Sequence, residues 1–245
     1  MKFYVTSDNH GSLRMIFEQR MALGLNEDCG LIVMGDAGFN YYNDIRDFGL
    51  KQKANSLGFK FYCVRGNHEM RPEKLFHIKK IFDTNVNGIV YMEEMFPNIR
   101  YLITGPDCYY INNMKTVVIN GAYSVDKYYR LQTHAKWFED EQINTKEMWE
   151  VESALKNNDV SLILSHTCPR MFQPTDLFLP YLDQNMIDNS MEKWMDELAR
   201  NYKWDYWLFG HYHKDRKITN GVYMLYHTIR PLEDVLEMAG KNIYE

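Results

Sequence analysis

No apolar run in this 245-residue sequence approaches the ~20 residues that a membrane-crossing helix needs, so nothing marks a span. Cysteine is scarce. Cys29, Cys63, Cys108 and Cys168 stand far apart and form no close pair, which argues against a disulfide scaffold and for a reducing cytoplasm. Long basic blocks are also missing, and 28 lysines and arginines against 33 aspartates and glutamates give a formal charge of −5. That balance excludes a general nucleic-acid surface while leaving room for a local positive pocket. The opening residues MKFYVTS run straight into a strand pattern, without the basic region, apolar core and cleavage site of a secretory leader. No repeat, low-complexity tract or linker divides the chain. Residues 1–245 are therefore expected to form a single domain of a soluble, cytoplasmic protein.

What is present is globular material: apolar residues at 45% and charged residues at 25% place the chain outside the disordered and fibrous classes. The 15 methionines and the 15% aromatic content suit the filling of irregular gaps between packed layers.

One stretch stands out, Phe61-Tyr62-Cys63-Val64-Arg65-Gly66-Asn67-His68-Glu69. An apolar, β-branched and aromatic run stops at a glycine, and three groups able to bind metal or move a proton follow at once. Taken alone it also reads as a polar turn capping a segment that opens at Pro72. The pattern recurs, however. Phe3–Thr6 runs into Ser7-Asp8-Asn9-His10-Gly11, Leu31–Met34 into Gly35-Asp36, Thr116–Ile119 into Asn120-Gly121, Val160–Leu164 into Ser165-His166, and Tyr206–Phe209 into Gly210-His211-Tyr212-His213.

Between these strands the spacing predicts a helix capped by Ser12 with Leu13, Ile16, Phe17 and Met21 on its inner face, and a weaker one over 42–57. Further helices are expected after Thr145, across Met191 to Tyr202, and after Pro231. Three successive βα steps argue for a largely parallel sheet. Short edge strands are expected around 89–92 and 101–104, and another strand over 222–226. Residues 167–189, with three prolines among aromatics, read as a structured cover.

Five of the strand ends deliver metal-ligand chemistry: Asp8 and His10, Asp36, Asn67, His166, and His211 with His213. On extended backbone an i, i+2 pair shares a face, so Asp8 with His10, and His211 with His213, can each aim at one point. One divalent ion rarely takes seven ligands and a carboxylate can bridge, so the set fits two ions. The absence of cysteine among them favours manganese, iron or zinc over a structural thiolate site, and of these manganese is expected first.

Asp8-x-His10, Gly35-Asp36, Gly66-Asn67-His68-Glu69, Ser165-His166 and Gly210-His211-Tyr212-His213, in that order, resemble the motif series of the calcineurin-like metallophosphoesterases. The resemblance implies an α/β fold, a four-layer αββα sandwich of two mixed sheets flanked by helices. It implies that Asp8, His10 and His213 bind one ion and Asn67, His166 and His211 the other, with Asp36 bridging. His68 would be the general acid, and Glu69 would orient it. The sequence also departs from the series. Gly35-Asp36 continues into Ala37-Gly38-Phe39-Asn40, without the phosphate-gripping arginine of the protein-phosphatase branch. Arg65 is open to two readings, a phosphate contact or a salt bridge behind the loop. The stretch Gly121–Lys127 resembles one in small bacterial and phage members, and Tyr123 and Arg170 are further candidates for lining the pocket.

A phosphate ester is anionic and repels hydroxide, which two adjacent divalent ions would overcome by neutralising charge and activating water. The expected chemistry is attack on phosphorus by a metal-bridging hydroxide, with protonated His68 giving its proton to the leaving group. Phosphomonoesterase and phosphodiesterase activities both fit, and the alternative is a catalytically silent, metal-stabilised binding scaffold.

Overall fold

A computed structural model describes residues 1–240. In chain order the elements are β1 (Lys2–Thr6), α1 (Arg14–Leu23), β2 (Cys29–Met34), α2 (Ile45–Asn55), β3 (Lys60–Val64), β4 (Ile78–Asp83), β5 (Gly88–Glu93), β6 (Ile99–Leu102), β7 (Tyr109–Ile111) and β8 (Met114–Ile119). There follow α3 (Lys127–Gln132), α4 (Thr145–Asn157), β9 (Leu162–Ser165), α5 (Ser190–Asn201), β10 (Tyr206–Phe209), β11 (Arg216–Thr219), β12 (Val222–Met224), β13 (Arg230–Pro231) and α6 (Leu232–Gly240).

Two mixed sheets are built from these strands, one ordered β13-β1-β2-β3-β6-β5-β4 and the other β11-β12-β10-β9-β8-β7. Their central strands are parallel and buried on both faces, which is why they read as unbroken apolar runs. Successive side chains divide between layers. Ile32, Met34, Tyr62 and Val64 of the first sheet meet Val118, Leu162, Leu164 and Leu208 of the second in a shared core. Leu31, Val33, Phe61 and Cys63 face Leu13, Ile16 and Ala54 of the α1 and α2 layer. Ile163, Trp207 and Phe209 pack on Val151, Leu155, Met191, Met195 and Leu198 of α4 and α5. The result is the expected four-layer αββα arrangement. α6 sits at the end of the shared core through Leu232, Val235 and Leu236.

Some local expectations are corrected. Ser12 does not cap α1, whose N-cap position is taken by Leu13 without a side-chain hydrogen bond, and Phe17 and Met21 lie exposed while Ile16 is buried. The third βα step is not a helix: after β3 the chain makes one 3₁₀ turn at Pro72–Lys74 and a β4–β5 hairpin before β6 lies parallel to β3. β4, β7, β11 and α3 had no clear periodic signal. The 167–189 segment is organised by 3₁₀ turns at Arg170–Phe172, Thr175–Leu177 and Gln184–Met186. All four cysteines are free. No helix among the described residues is long and apolar enough to cross a membrane.

Parallel pairing in register brings the carboxyl ends of β1, β2, β3, β9 and β10 to one edge of the sandwich, where open α/β sheets place their ligands.

Candidate metal centre

All seven expected ligands converge there. The donor atoms of Asp8, His10 and His213 lie within 4.8 Å of one another, as do those of Asp8, Asp36 and His166. His10 Nε2 and His213 Nε2 are 3.2 Å apart. Two ligands of a single ion ~2.1 Å away have that separation at an angle of roughly 100°. Asp36 Oδ2 stands 3.9 Å from His10 Nε2 and 3.5 Å from His166 Nε2, between the two groups. Asn67 joins through its Oδ1, 2.9 Å from His166 Nε2. His211 joins by its ring, whose centroid is 5.0 Å from that of His166. Asp8 is common to both groups.

Convergence is achieved by a different backbone from the one expected. Asp8, His10, Asp36, His211 and His213 have φ of 55°, 43°, 49°, 71° and 53°, so these residues sit in the left-handed region and not on extended strand. Each such non-glycine residue costs on the order of 1 kcal/mol, and strain gathered in one place marks a site the surrounding structure must enforce. Gly66 and Gly210 make room. A Cβ on Gly66 would stand 1.9 Å from Asp36 Oδ1, and one on Gly210 2.7 Å from Asp8 Oδ2.

Hydrogen bonds fix the donors. Asp8 Oδ2 accepts from the Ser7 hydroxyl and from the His211 N–H at 3.0 Å. His166 Nδ1–H donates to the Met34 carbonyl at 2.8 Å, which turns Nε2 toward Asp36. The Asn67 amide donates to Ser124 Oγ at 2.8 Å, and Ser124 Oγ–H donates to Glu141 at 2.5 Å. The function of the 121–127 stretch, opaque in the sequence, is thus partly to orient Asn67.

Burial alone would raise the carboxyls of Asp8 and Asp36. It is outweighed, by the close approach of His213 and the nearby His166 for Asp8, and chiefly by His166 for Asp36, so both stay below the ordinary range. Burial likewise pulls His166 down, but Asp36 and Asp8 hold it up at about 9. His211, buried beside His166, is pushed down to about 3. Asp8 Oδ1 is buried without a hydrogen-bond partner among the described residues, 3.5 Å from His213 Nε2. Two acidic carboxylates, one with an orphaned oxygen, ringed by imidazoles are a donor set that fits divalent cations.

The other expected residues fare unevenly. His68 flanks the cluster, its N–H donating to Asp36 Oδ1 at 3.0 Å, and its ring is 5.6 Å from that of His10. Burial, aided by Arg130, lowers its pKa. Glu69 does not orient His68: its carboxylate accepts from the N–H groups of Gly38 at 2.8 Å and Gly66 at 3.1 Å, tying the β2 and β3 loops together. Burial and Asp36 push it up to about 7. Arg65 is buried behind the loop, donating to the carbonyls of Gly66 at 3.2 Å and Glu141 at 2.7 Å. Burial beside Arg71 lowers it to about 10. Arg170 is exposed at a 3₁₀ turn and borders neither cavity at the cluster. Tyr123 does line one of them.

Sequence reading missed Arg130. It reaches in from α3, with Nη2 3.5 Å from His68 Nε2 and Nε paired to Asp126 at 2.8 Å. Its only sequence signal was its place just beyond the 121–127 stretch.

Two cavities meet at the cluster. One of about 600 Å³ is reached by His10, Asp36 and His68 and is walled by Tyr41, Tyr42, Arg46, Lys53 and Arg130. The other, about 340 Å³, is reached by His211 and His213 and walled by Tyr123 and by Leu177, Phe178, Leu182 and Ile187 of the cover segment.

The family model of the calcineurin-like phosphoesterases matches residues 1–215. Among solved structures, the chain is similar to phosphopantetheinyl hydrolase from Mycobacterium tuberculosis, with 14% identity and a TM-score of 0.47 over 92% of this chain and 88% of that one. Comparison with curated protein sequences gives no match.

Proposed function

The chain belongs to the calcineurin-like phosphoesterases and is a metal-dependent phosphoric ester hydrolase; within that family, we propose that it is a phosphodiesterase whose two ester arms occupy the two cavities meeting at the histidines. The observation that carries this reading is the pairing of cavities. A monoester has one organic arm to place, whereas a diester has two, and here separate chambers open from His10 and from His213, whose Nε2 atoms are 3.2 Å apart.

In this reading Asp8, His10 and His213 would hold one ion, Asn67, His166 and His211 would hold the other, and Asp36 would serve both. Manganese is the expected metal, with iron or zinc as alternatives. When bound, the two ions neutralise phosphoryl oxygens and lower the pKa of water. The protein side of the reaction falls to His68, which lines the larger cavity. Water loses a proton to solvent as its oxygen adds to phosphorus, the bond to the leaving oxygen breaks with its electron pair, and the His68 imidazolium supplies the proton that oxygen needs. Burial disfavours that charged form, and an incoming phosphate anion favours it. Glu69 acts at a distance, holding the Gly38 and Gly66 loops in place. Tyr123 walls the retained arm.

A phosphomonoesterase is the second reading. It draws support from Arg130, a cation beside His68 suited to the extra charge of a monoester dianion. We place the enzyme in the cytoplasm as one domain, which fits its free cysteines. Manganese-loaded protein assayed on bis-p-nitrophenyl phosphate and p-nitrophenyl phosphate decides between the two. The diesterase reading expects the larger kcat/KM on the diester; a larger value on the monoester gives the second reading, and no turnover of either leaves the silent scaffold.

A further inference from the structure

The two cavities differ in charge. No lysine or arginine lines the chamber at His211 and His213, whereas Arg46, Lys53 and Arg130 all line the one at His68. Two carboxylates oppose them there. Asp36 belongs to the metal cluster, and Asp47 is buried, accepts from the Asn43 N–H at 2.6 Å and has its pKa raised by that burial.

The three cations are not equally committed. Arg46 pairs with Asp44 and lies over the Tyr42 ring, 3.4 Å from its centroid. Arg130 uses Nε on Asp126 and Nη1 on the Tyr41 hydroxyl and the Lys136 carbonyl, which leaves Nη2 with only the 3.5 Å approach to His68. The Lys53 ammonium has no ion pair or hydrogen bond among the described residues, its carbonyl alone accepting from the Ser56 hydroxyl. The chamber that receives the leaving arm therefore presents cationic donors that the chain itself does not satisfy. Cations walling a concave site favour an anionic ligand group.

We propose that the leaving arm of the substrate carries a second anionic group, seated by Arg130 and Lys53, so that the substrate is an unsymmetrical phosphodiester with an anionic leaving arm and an apolar retained arm. This rests on the diesterase reading above. The retained arm lies among Leu177, Phe178, Leu182 and Ile187, and with Asp188 and Glu192 as the charged side chains of that lining an anion there would be left without a partner of opposite sign. The bond changes are those of the hydrolysis already described, and the departing alcohol leaves with its second anion intact.

Two chromogenic esters test this: methyl 4-nitrophenyl phosphate and methyl 3-carboxy-4-nitrophenyl phosphate, which differ by one carboxylate on the leaving arm. The manganese-loaded full chain is expected to prefer the carboxylated ester by roughly tenfold to a hundredfold in kcat/KM, the range of one or two charge-assisted hydrogen bonds. Most of that preference should lie in KM. Lys53→Ala and Arg130→Ala should each cut it, and Arg130→Lys should recover part of it, with circular dichroism confirming that each variant is folded. Equal rates, a preference for the neutral ester, or a preference that survives both alanine variants would overturn the inference while leaving the diesterase standing. No turnover of either ester by the metal-loaded chain would remove the diesterase reading, and this inference with it.

Discussion

The Asn67 carboxamide donates to Ser124 Oγ at 2.8 Å, and that bond decides which end of the amide faces His166. Ser124 is itself anchored, its N–H and hydroxyl both donating to Glu141. Outer partners of metal ligands typically contribute tenfold to a hundredfold in affinity. Ser124→Ala should therefore weaken binding of one of the two ions by about that factor with the fold retained, as read by calorimetric titration with manganese. Unchanged affinity for both ions would show that Asn67 needs no such support.

His68 lies against the cluster without being one of the ligands expected from the motif series, so its removal should separate binding from chemistry. His68→Ala is expected to keep both ions and lose about 10²–10⁴ in kcat on alkyl esters, whose leaving oxygen needs a proton. The loss should be much smaller on p-nitrophenyl esters, whose leaving group departs as a stable anion. A variant as active as the parent on alkyl esters would exclude His68 as the acid.

Gly66 tests how tightly the β3 loop is built. Because an added Cβ would fall 1.9 Å from Asp36 Oδ1, Gly66→Ala must displace either the loop or the carboxylate. Fewer than two ions per chain after manganese loading is the expected result by elemental analysis. Full occupancy would mean that Asp36 is not needed where it stands.

Glu192, in the wall of the smaller cavity, provides a pH signature that can be read on folding stability. It accepts from Thr167 at 3.0 Å, its Oε2 has no partner among the described residues, and burial pushes it from 4.5 up to about 7. The unfolded chain releases this proton near 4.5 and the folded protein near 7, so between those values the folded state binds more protons and stability falls as pH rises. Below that window the cost is absent; above it the cost is complete, at most about 3 kcal/mol. Metal-free Glu192→Gln should accordingly melt roughly 5 °C above the parent at pH 8 and close to it at pH 4. A parent that melts higher than the variant at pH 8 would contradict the assignment.

Much of the site was legible because its ligands follow directly on buried strands. Asp8, Asp36, Asn67, His166 and His211 each come within three residues of an apolar run, and parallel register then carries them to one edge. Residues whose role depends on distant partners were not legible. Arg130 lies on a six-residue helix with exposed Tyr128 and Tyr129 and reads as solvent-facing, yet it meets His68, 62 positions earlier. Glu69 stands beside His68 in sequence, but its carboxylate turns to the backbone N–H groups of Gly38 and Gly66 while His68 lines the larger cavity, so adjacency in sequence does not make a contact. The β4–β5 hairpin was half seen: β4 is an edge strand with Lys79, Lys80 and Phe82 exposed, so it lacks the alternation of a buried face.

Everything proposed for catalysis depends on a pair of cations at the Asp8, Asp36 and His166 cluster. Anomalous diffraction from manganese-soaked crystals tests it most directly. Two peaks per chain about 3.5–4 Å apart, flanked by His213 on one side and His166 on the other with Asp36 between them, are the expected result. A cluster that takes up no manganese, or a single ion placed away from Asp36, would contradict it.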